Sequence, residues 1–217
     1  MARELRYIAI EGPIGVGKTS LARRLADTLQ FELVLEEAEE NPFLERFYRD
    51  PVANALPTQL HFLFQRARQA QAMRQADLFA GGRIADFLLE KDRIFARLTL
   101  PDEEYRLYDQ VYQGLALDAP TPDLVVYLQA PVETLIERVQ RRGIAYEQAV
   151  RPEYLRRLSD AYMNFFHRYD AGPLLIVNAA TFDPVRREQD YRDLLRRIQA
   201  NEGGRQYYNP APPDPAD

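Results

Sequence analysis

The chain has 217 residues, 46% of them hydrophobic and 28% charged, with a net charge of −5 and no cysteine. That length suits one α/β domain with a full core, and the balance is that of an ordinary globule. An acidic chain argues against a nucleic-acid partner, and the lack of cysteine removes both a disulfide framework and a thiolate metal site. Two separated histidines, His61 and His167, leave little for zinc, so any metal is expected to be oxygen-bound Mg²⁺. No apolar run approaches transmembrane length and the N-terminus lacks signal-peptide organisation, which points to a cytoplasmic protein without a membrane partner.

Leu5 to Glu11 has the apolar, β-branched character of a buried strand. It runs into Gly12-Pro13-Ile14-Gly15-Val16-Gly17-Lys18-Thr19, which fits G-x-x-x-x-G-K-[ST], and the helical stripe Leu21, Leu25, Leu29 follows. In such a loop, glycines let backbone N–H groups close around phosphate oxygens, the lysine reaches the β- and γ-phosphates, and the threonine hydroxyl can hold Mg²⁺. The expected cradle is therefore Gly12, Gly15, Val16, Gly17, Lys18, Thr19 and Ser20, at a helix N-terminus whose dipole favours anions. A nucleoside triphosphate is the implied ligand. The only other lysine is Lys91, against twenty-six arginines.

Four more apolar runs read as strands: Leu33 to Leu35, Arg83 to Phe87, Asp123 to Gln129 and Pro173 to Asn178. Helical patterns lie between them, including Leu56 to Phe79, Asp102 to Leu117 and Glu153 to Tyr169. This alternation predicts a parallel sheet covered by helices on both faces, with the ligand beyond the carboxyl ends of the strands.

Each strand exit carries candidate chemistry. After the second strand, Glu36, Glu37, Glu39 and Glu40 form an acidic cluster from which one general base could be drawn, the others serving as loop charges or caps before Asn41-Pro42. Asp86, at the third exit, suits Mg²⁺ or its bound water, or else a helix cap. On the long helix, Gln59, Phe62 and Arg66 share a face that suits either a flat heterocycle with polar edges or ordinary core packing. Arg138, Arg141 and Arg142 occupy one helical face before Gly143, as in a lid that brings positive charge to a transferring phosphoryl group. Residues 203–217 are Pro-rich without apolar periodicity, so a disordered tail after a single domain of residues 1–202 is expected.

In order, GPIGVGKTS, EEAEENPFLERFY, LPTQLHFLFQRAR, ADFLLEKD and RVQRRGIAYEQ resemble the deoxynucleoside kinase family, above all its bacterial purine-deoxynucleoside members, over residues 6–183. The resemblance implies a P-loop kinase fold with a five-stranded parallel sheet and an arginine-bearing lid, a homodimer formed through helices, and ATP-dependent phosphorylation of a deoxynucleoside 5′-hydroxyl in nucleotide salvage. It selects Glu36 as the base, sets Tyr48 and Glu147 near the sugar 3′-hydroxyl, and matches Gln59 to the residue that reads the nucleobase, beside an Arg66–Asp92 pair. It further matches Arg138 and Arg142 to lid arginines and Phe182-Asp183 to the loop that holds the ATP adenine.

Two departures stand out. The family's Asp/Glu-Arg-Ser triplet is replaced by Asp86-Phe87-Leu88, and a third lid arginine by Ile144. Lys91 or Arg141 is expected to supply the missing cation. The competing readings are a thymidylate-type nucleoside monophosphate kinase and a non-catalytic nucleotide-binding member of the family. A GTPase is disfavoured because the fifth strand ends in Asn178-Ala179-Ala180-Thr181 rather than Asn-Lys-x-Asp.

Overall fold

The computed structural model describes residues 5–75, 81–115 and 120–210. In chain order its elements are β1 (Tyr7–Glu11), α1 (Lys18–Leu29), β2 (Glu32–Val34), α2 (Leu44–Arg49), α3 (Pro51–Gln75), β3 (Arg83–Ala85), α4 (Lys91–Thr99), α5 (Asp102–Gly114), β4 (Leu124–Gln129), α6 (Val132–Arg142), α7 (Pro152–Arg168), β5 (Leu174–Asn178), α8 (Glu188–Gln199) and β6 (Arg205–Tyr208). The strands form one parallel sheet in the order β2-β3-β1-β4-β5-β6. The C-terminal ends of β1, β2 and β3 therefore emerge side by side.

Alternation along the strands divides the core. Ile8 and Ile10 of β1, with Val126 and Leu128 of β4, face Leu21 and Leu25 of α1 and Leu194 and Ile198 of α8. Ala9, Val125 and Tyr127 face the other way, against Leu158, Tyr162 and Phe166 of α7. A third cluster, including Leu44, Phe47, Leu63 and Tyr108, joins α2, α3 and α5 beside the sheet and builds one wall of the site.

The sheet has six strands, not five. The sixth lies in the segment read from its sequence as a tail: Arg205–Tyr208 pairs in parallel with β5, Leu174 opposite Arg205 and Val177 opposite Tyr208. Gly203 and Gly204, both with positive φ, turn the chain into it, and the Arg205 guanidinium donates to the carbonyls of His167 (2.8 Å) and Tyr169 (2.7 Å). Tyr208 meets Phe182 edge-on with ring centres 5.3 Å apart. A four-residue edge strand anchored by arginine and tyrosine carries no apolar run, which is why composition hid it. The rest of the expected tail, residues 211–217, lies outside the described residues.

Helix α3 starts at Pro51 rather than Leu56. Proline suits a first helical turn, and the Asp50 side chain accepts from the Ala53 amide at 3.4 Å. Pro57 is thus internal to the helix. The expected helix ends at Phe79 and Leu117 fall outside the described residues.

Candidate active site

The phosphate loop leaves the centre of the sheet between β1 and α1. Gly12 has φ 148° and Gly15 φ 84°; a Cβ on Gly12 would lie 2.3 Å from the Leu128 carbonyl oxygen, and one on Gly15 2.8 Å from that of Leu135. Only glycine fits this close passage over β4 and α6. Lys18, the first residue of α1, donates to the Pro13 carbonyl at 3.1 Å and so curls over the loop. Burial and then the Lys91 charge lower it, against the pull of Glu11, Glu36 and Asp86, to about 8.

Asp86 joins two halves of the site. Its Oδ2 accepts from the Thr19 hydroxyl at 2.5 Å and its Oδ1 from the Glu36 amide at 2.8 Å. Glu36 follows β2 and is gripped by two cations: Arg66 bonds Oε1, and the Lys91 ammonium lies 2.5 Å from Oε2. Burial alone would raise Glu36, but Arg66, Lys91 and Lys18 outweigh it and hold it at about 2. Its backbone is pinned as well. From α3, Gln69 Nε2 donates to the Leu35 carbonyl at 2.8 Å and Gln65 Nε2 to that of Glu37 at 3.1 Å.

A cavity of about 570 Å³ runs from the loop past Glu36 to the helical wall. Thr19 and Ser20 line one end; Gln59, Phe62 and Arg66 line the other. Gln59 is buried and makes no side-chain hydrogen bond to another described residue. Arg66 also bonds Asp92, yet Arg66 Nε and Asp92 Oδ2 are buried without a partner among the described residues. Between the two ends, Tyr48 stacks on Tyr146 with centroids 5.9 Å apart. Across from them Glu147, 5% exposed, takes a two-point contact from Arg142, with Nε to Oε2 at 3.0 Å. The cavity thus carries a glycine loop with a lysine and a hydroxyl at one end and an aromatic face with an amide and a guanidinium at the other, with a carboxylate between.

A family model described as Deoxynucleoside kinase matches residues 8–201. The chain belongs to the deoxynucleoside kinase family. Among curated members of that family, it is 32% identical to a deoxyguanosine kinase of Bacillus subtilis over 198 residues, covering 89% of this chain and 96% of the relative. It is 34% identical to a deoxyadenosine kinase of Dictyostelium discoideum over 187 residues, covering 82% and 74%. Solved structures of M. mycoides deoxyadenosine kinase superpose with a TM-score of 0.79 when dCMP and dCDP are bound there (26% identity, 90% and 100% covered) and 0.77 with dATP bound (26%, 88% and 98%).

Within this kinase fold, some expected site residues make structural contacts of their own. Phe182 is 1% exposed and packs in the α1–α8 core, and Asp183 is engaged locally, accepting from the amides of Val185 and Arg186. Arg138 reaches the backbone rather than the open cavity, donating to the carbonyls of Val16 (3.3 Å) and Ala179 (3.0 Å). Arg141 is exposed on the outer side of α6, while Ile144 lines the cavity. Of the two candidates for the missing family cation, Lys91 is the one at Glu36. Asp92 lies behind Arg66 and does not line the cavity. Tyr146 lines it but had no role on sequence grounds, although it adjoins Glu147 in the lid motif.

Thr19 and Asp86 present hard oxygens beside the loop, and no group of three His, Cys, Asp or Glu side chains among the described residues could hold a metal by itself. That fits Mg²⁺, which keeps waters and takes only one or two protein ligands beside nucleotide phosphates.

Proposed function

We propose that this kinase transfers the γ-phosphoryl group of ATP to the 5′-hydroxyl of a deoxynucleoside, purine deoxynucleosides being favoured. The observation that carries the mechanism is Glu36, a carboxylate held charged by Arg66 and Lys91 in one cavity with Lys18, Thr19 and Asp86. The triphosphate lies along the loop, its β- and γ-phosphates on Lys18. The Thr19 hydroxyl and Asp86 would hold Mg²⁺, which would supply charge neutralisation at the phosphates. The deoxynucleoside enters the opposite end, its base against Phe62 and read by Gln59 and by Arg66, which Asp92 holds from behind, its 3′-hydroxyl near Tyr48 and Glu147.

The 5′-hydroxyl then lies between Glu36 and the γ-phosphate. Its oxygen attacks phosphorus, the bond to the β–γ bridging oxygen breaks, and ADP departs. Glu36 accepts the hydroxyl proton. A carboxylate with a pKa of about 2 is a weak base, which suits a loose transition state in which the proton leaves late and Glu36 chiefly orients the nucleophile. Lys91 supplies the cation that the family's arginine would bring. Arg142, which lines the cavity from the end of α6, adds positive charge as the lid closes over the phosphates, while Arg138 braces the loop through the Val16 carbonyl.

A homodimer through helices is supported by Phe64 of α3 and Leu107 of α5, 43% and 50% exposed on neighbouring helices. No helix among the described residues is long and apolar enough to cross a membrane, in keeping with a cytoplasmic enzyme. Initial rates with the four deoxynucleosides, ATP and Mg²⁺ test the assignment: deoxyadenosine or deoxyguanosine is expected to be the fastest acceptor. Turnover only with deoxynucleoside monophosphates would overturn it in favour of a thymidylate-type enzyme.

A further inference from the structure

Glu11, the last residue of β1, is 1% exposed, yet it forms no ion pair among the described residues. Its oxygens accept from two backbone amides instead, Oε2 from Gly12 at 2.9 Å and Oε1 from Leu88 at 2.7 Å. Gly12 opens the phosphate loop. Leu88 lies between Asp86 and Lys91. The β1–β3 ladder itself stops at Ala9 opposite Ala85, so the carboxylate bridges the two strands beyond the point where their backbones part.

We infer that Glu11 is a positioning residue, bracing the phosphate loop against the segment from Asp86 to Lys91 so that both halves of the phosphoryl-transfer site keep one spacing. This rests on the reading of that loop as an ATP site. The bridge also sets the local field. Lys18 faces Glu11 from β1, Glu36 from the β2 exit, Asp86 from the β3 exit and the like charge of Lys91 from α4. Glu11 itself faces Tyr162 of α7, Tyr127 of β4, Tyr7 and Glu90, and the phenols are raised, by burial first. Tyrosines pushed upward stay protonated and neutral, so they put no second negative charge beside Glu11.

The test is ATP binding by calorimetry on the full chain at pH 7, without acceptor, alongside thermal unfolding. Glu11→Gln keeps the shape but turns one acceptor into an NH₂ facing an N–H, and it removes the charge. It is expected to weaken ATP binding at least tenfold. Glu11→Asp keeps the charge but shortens the reach, so it should weaken binding less than Glu11→Gln. A purely structural role would lower the unfolding temperature alone. If Glu11→Gln folds and binds ATP within threefold of wild type, the inference is wrong; if only Glu11→Asp folds, unaltered ATP affinity overturns it. Because acceptor is absent, this outcome is separate from failure of the kinase assignment, which would appear as a wild-type protein that phosphorylates no deoxynucleoside.

Discussion

Replacing Lys91 by methionine should lower kcat while leaving the protein folded and able to bind ATP. The ammonium lies 2.5 Å from Glu36 Oε2, where it both steadies the carboxylate and brings a positive charge to the attacking oxygen. Two unit charges 4 Å apart interact by about 4 kcal/mol at an effective dielectric of about 20, and loss of one preorganised donor in an active site costs about 10²–10³ in kcat. A decrease of about 10² is therefore expected. Lys91 also repels Lys18, so its removal should raise the Lys18 pKa. In the wild type, kcat/KM for ATP should fall as pH rises through about 8, where free Lys18 loses its proton; in Lys91→Met that fall should move to higher pH. Glu36 should rise from about 2 yet stay ionised at neutral pH, because Arg66 remains. Coupled ADP-release rates from pH 6 to 10, with ATP varied, measure all of this. A kcat within a few-fold of wild type, or an alkaline limb that does not move, would refute the reasoning.

Glu36→Gln should reduce kcat by about 10²–10⁴ and leave the calorimetric ATP affinity within a few-fold, since Glu36 does not touch the loop backbone; unchanged turnover would remove Glu36 as the base. Acid stability follows from the same residue. Its folded pKa is depressed below the ordinary 4.5, so its stabilising contribution is complete above about pH 4.5 and is lost as pH falls toward 2. Urea titrations at pH 6 and pH 3 should show a smaller acid-induced loss in Glu36→Gln than in wild type. Phe182→Ala should destabilise by about 3–5 kcal/mol, as expected for a phenylalanine deleted from a core. A near-neutral unfolding effect with a large rise in KM for ATP would instead return Phe182 to the adenine site.

The phosphate loop was legible because its chemistry is backbone chemistry: positions where a Cβ would come within 3 Å of the Leu128 and Leu135 carbonyl oxygens must be glycine, which leaves a fixed spacing in the sequence. Choosing Glu36 from four carboxylates was different. Spacing leaves all four open, and the family resemblance was needed to select one; in the fold, Gln65, Gln69 and Asp86 pin residues 35–37 so that Glu36 meets Arg66 and Lys91. Arg138 and Phe182 have residue types that suit a site equally well or a scaffold, and only packing directs one to loop carbonyls and the other to the core. Glu11 left no signal because a carboxylate at a strand end resembles any strand terminus until its two amide partners are seen. Strand β6 was hidden because its stability comes from Arg205 and Tyr208 contacts to distant segments rather than from local periodicity.

The central claim is that γ-phosphate passes from ATP to a deoxynucleoside 5′-hydroxyl under the control of Glu36. Incubation of the wild type and Glu36→Gln with γ-labelled ATP, Mg²⁺ and each deoxynucleoside, with separation of products, tests it directly. Label is expected in the 5′-monophosphate, fastest from deoxyadenosine or deoxyguanosine, and almost none with the variant. A folded, ATP-binding wild type that labels none of the four, or a variant that labels as fast as wild type, would contradict it.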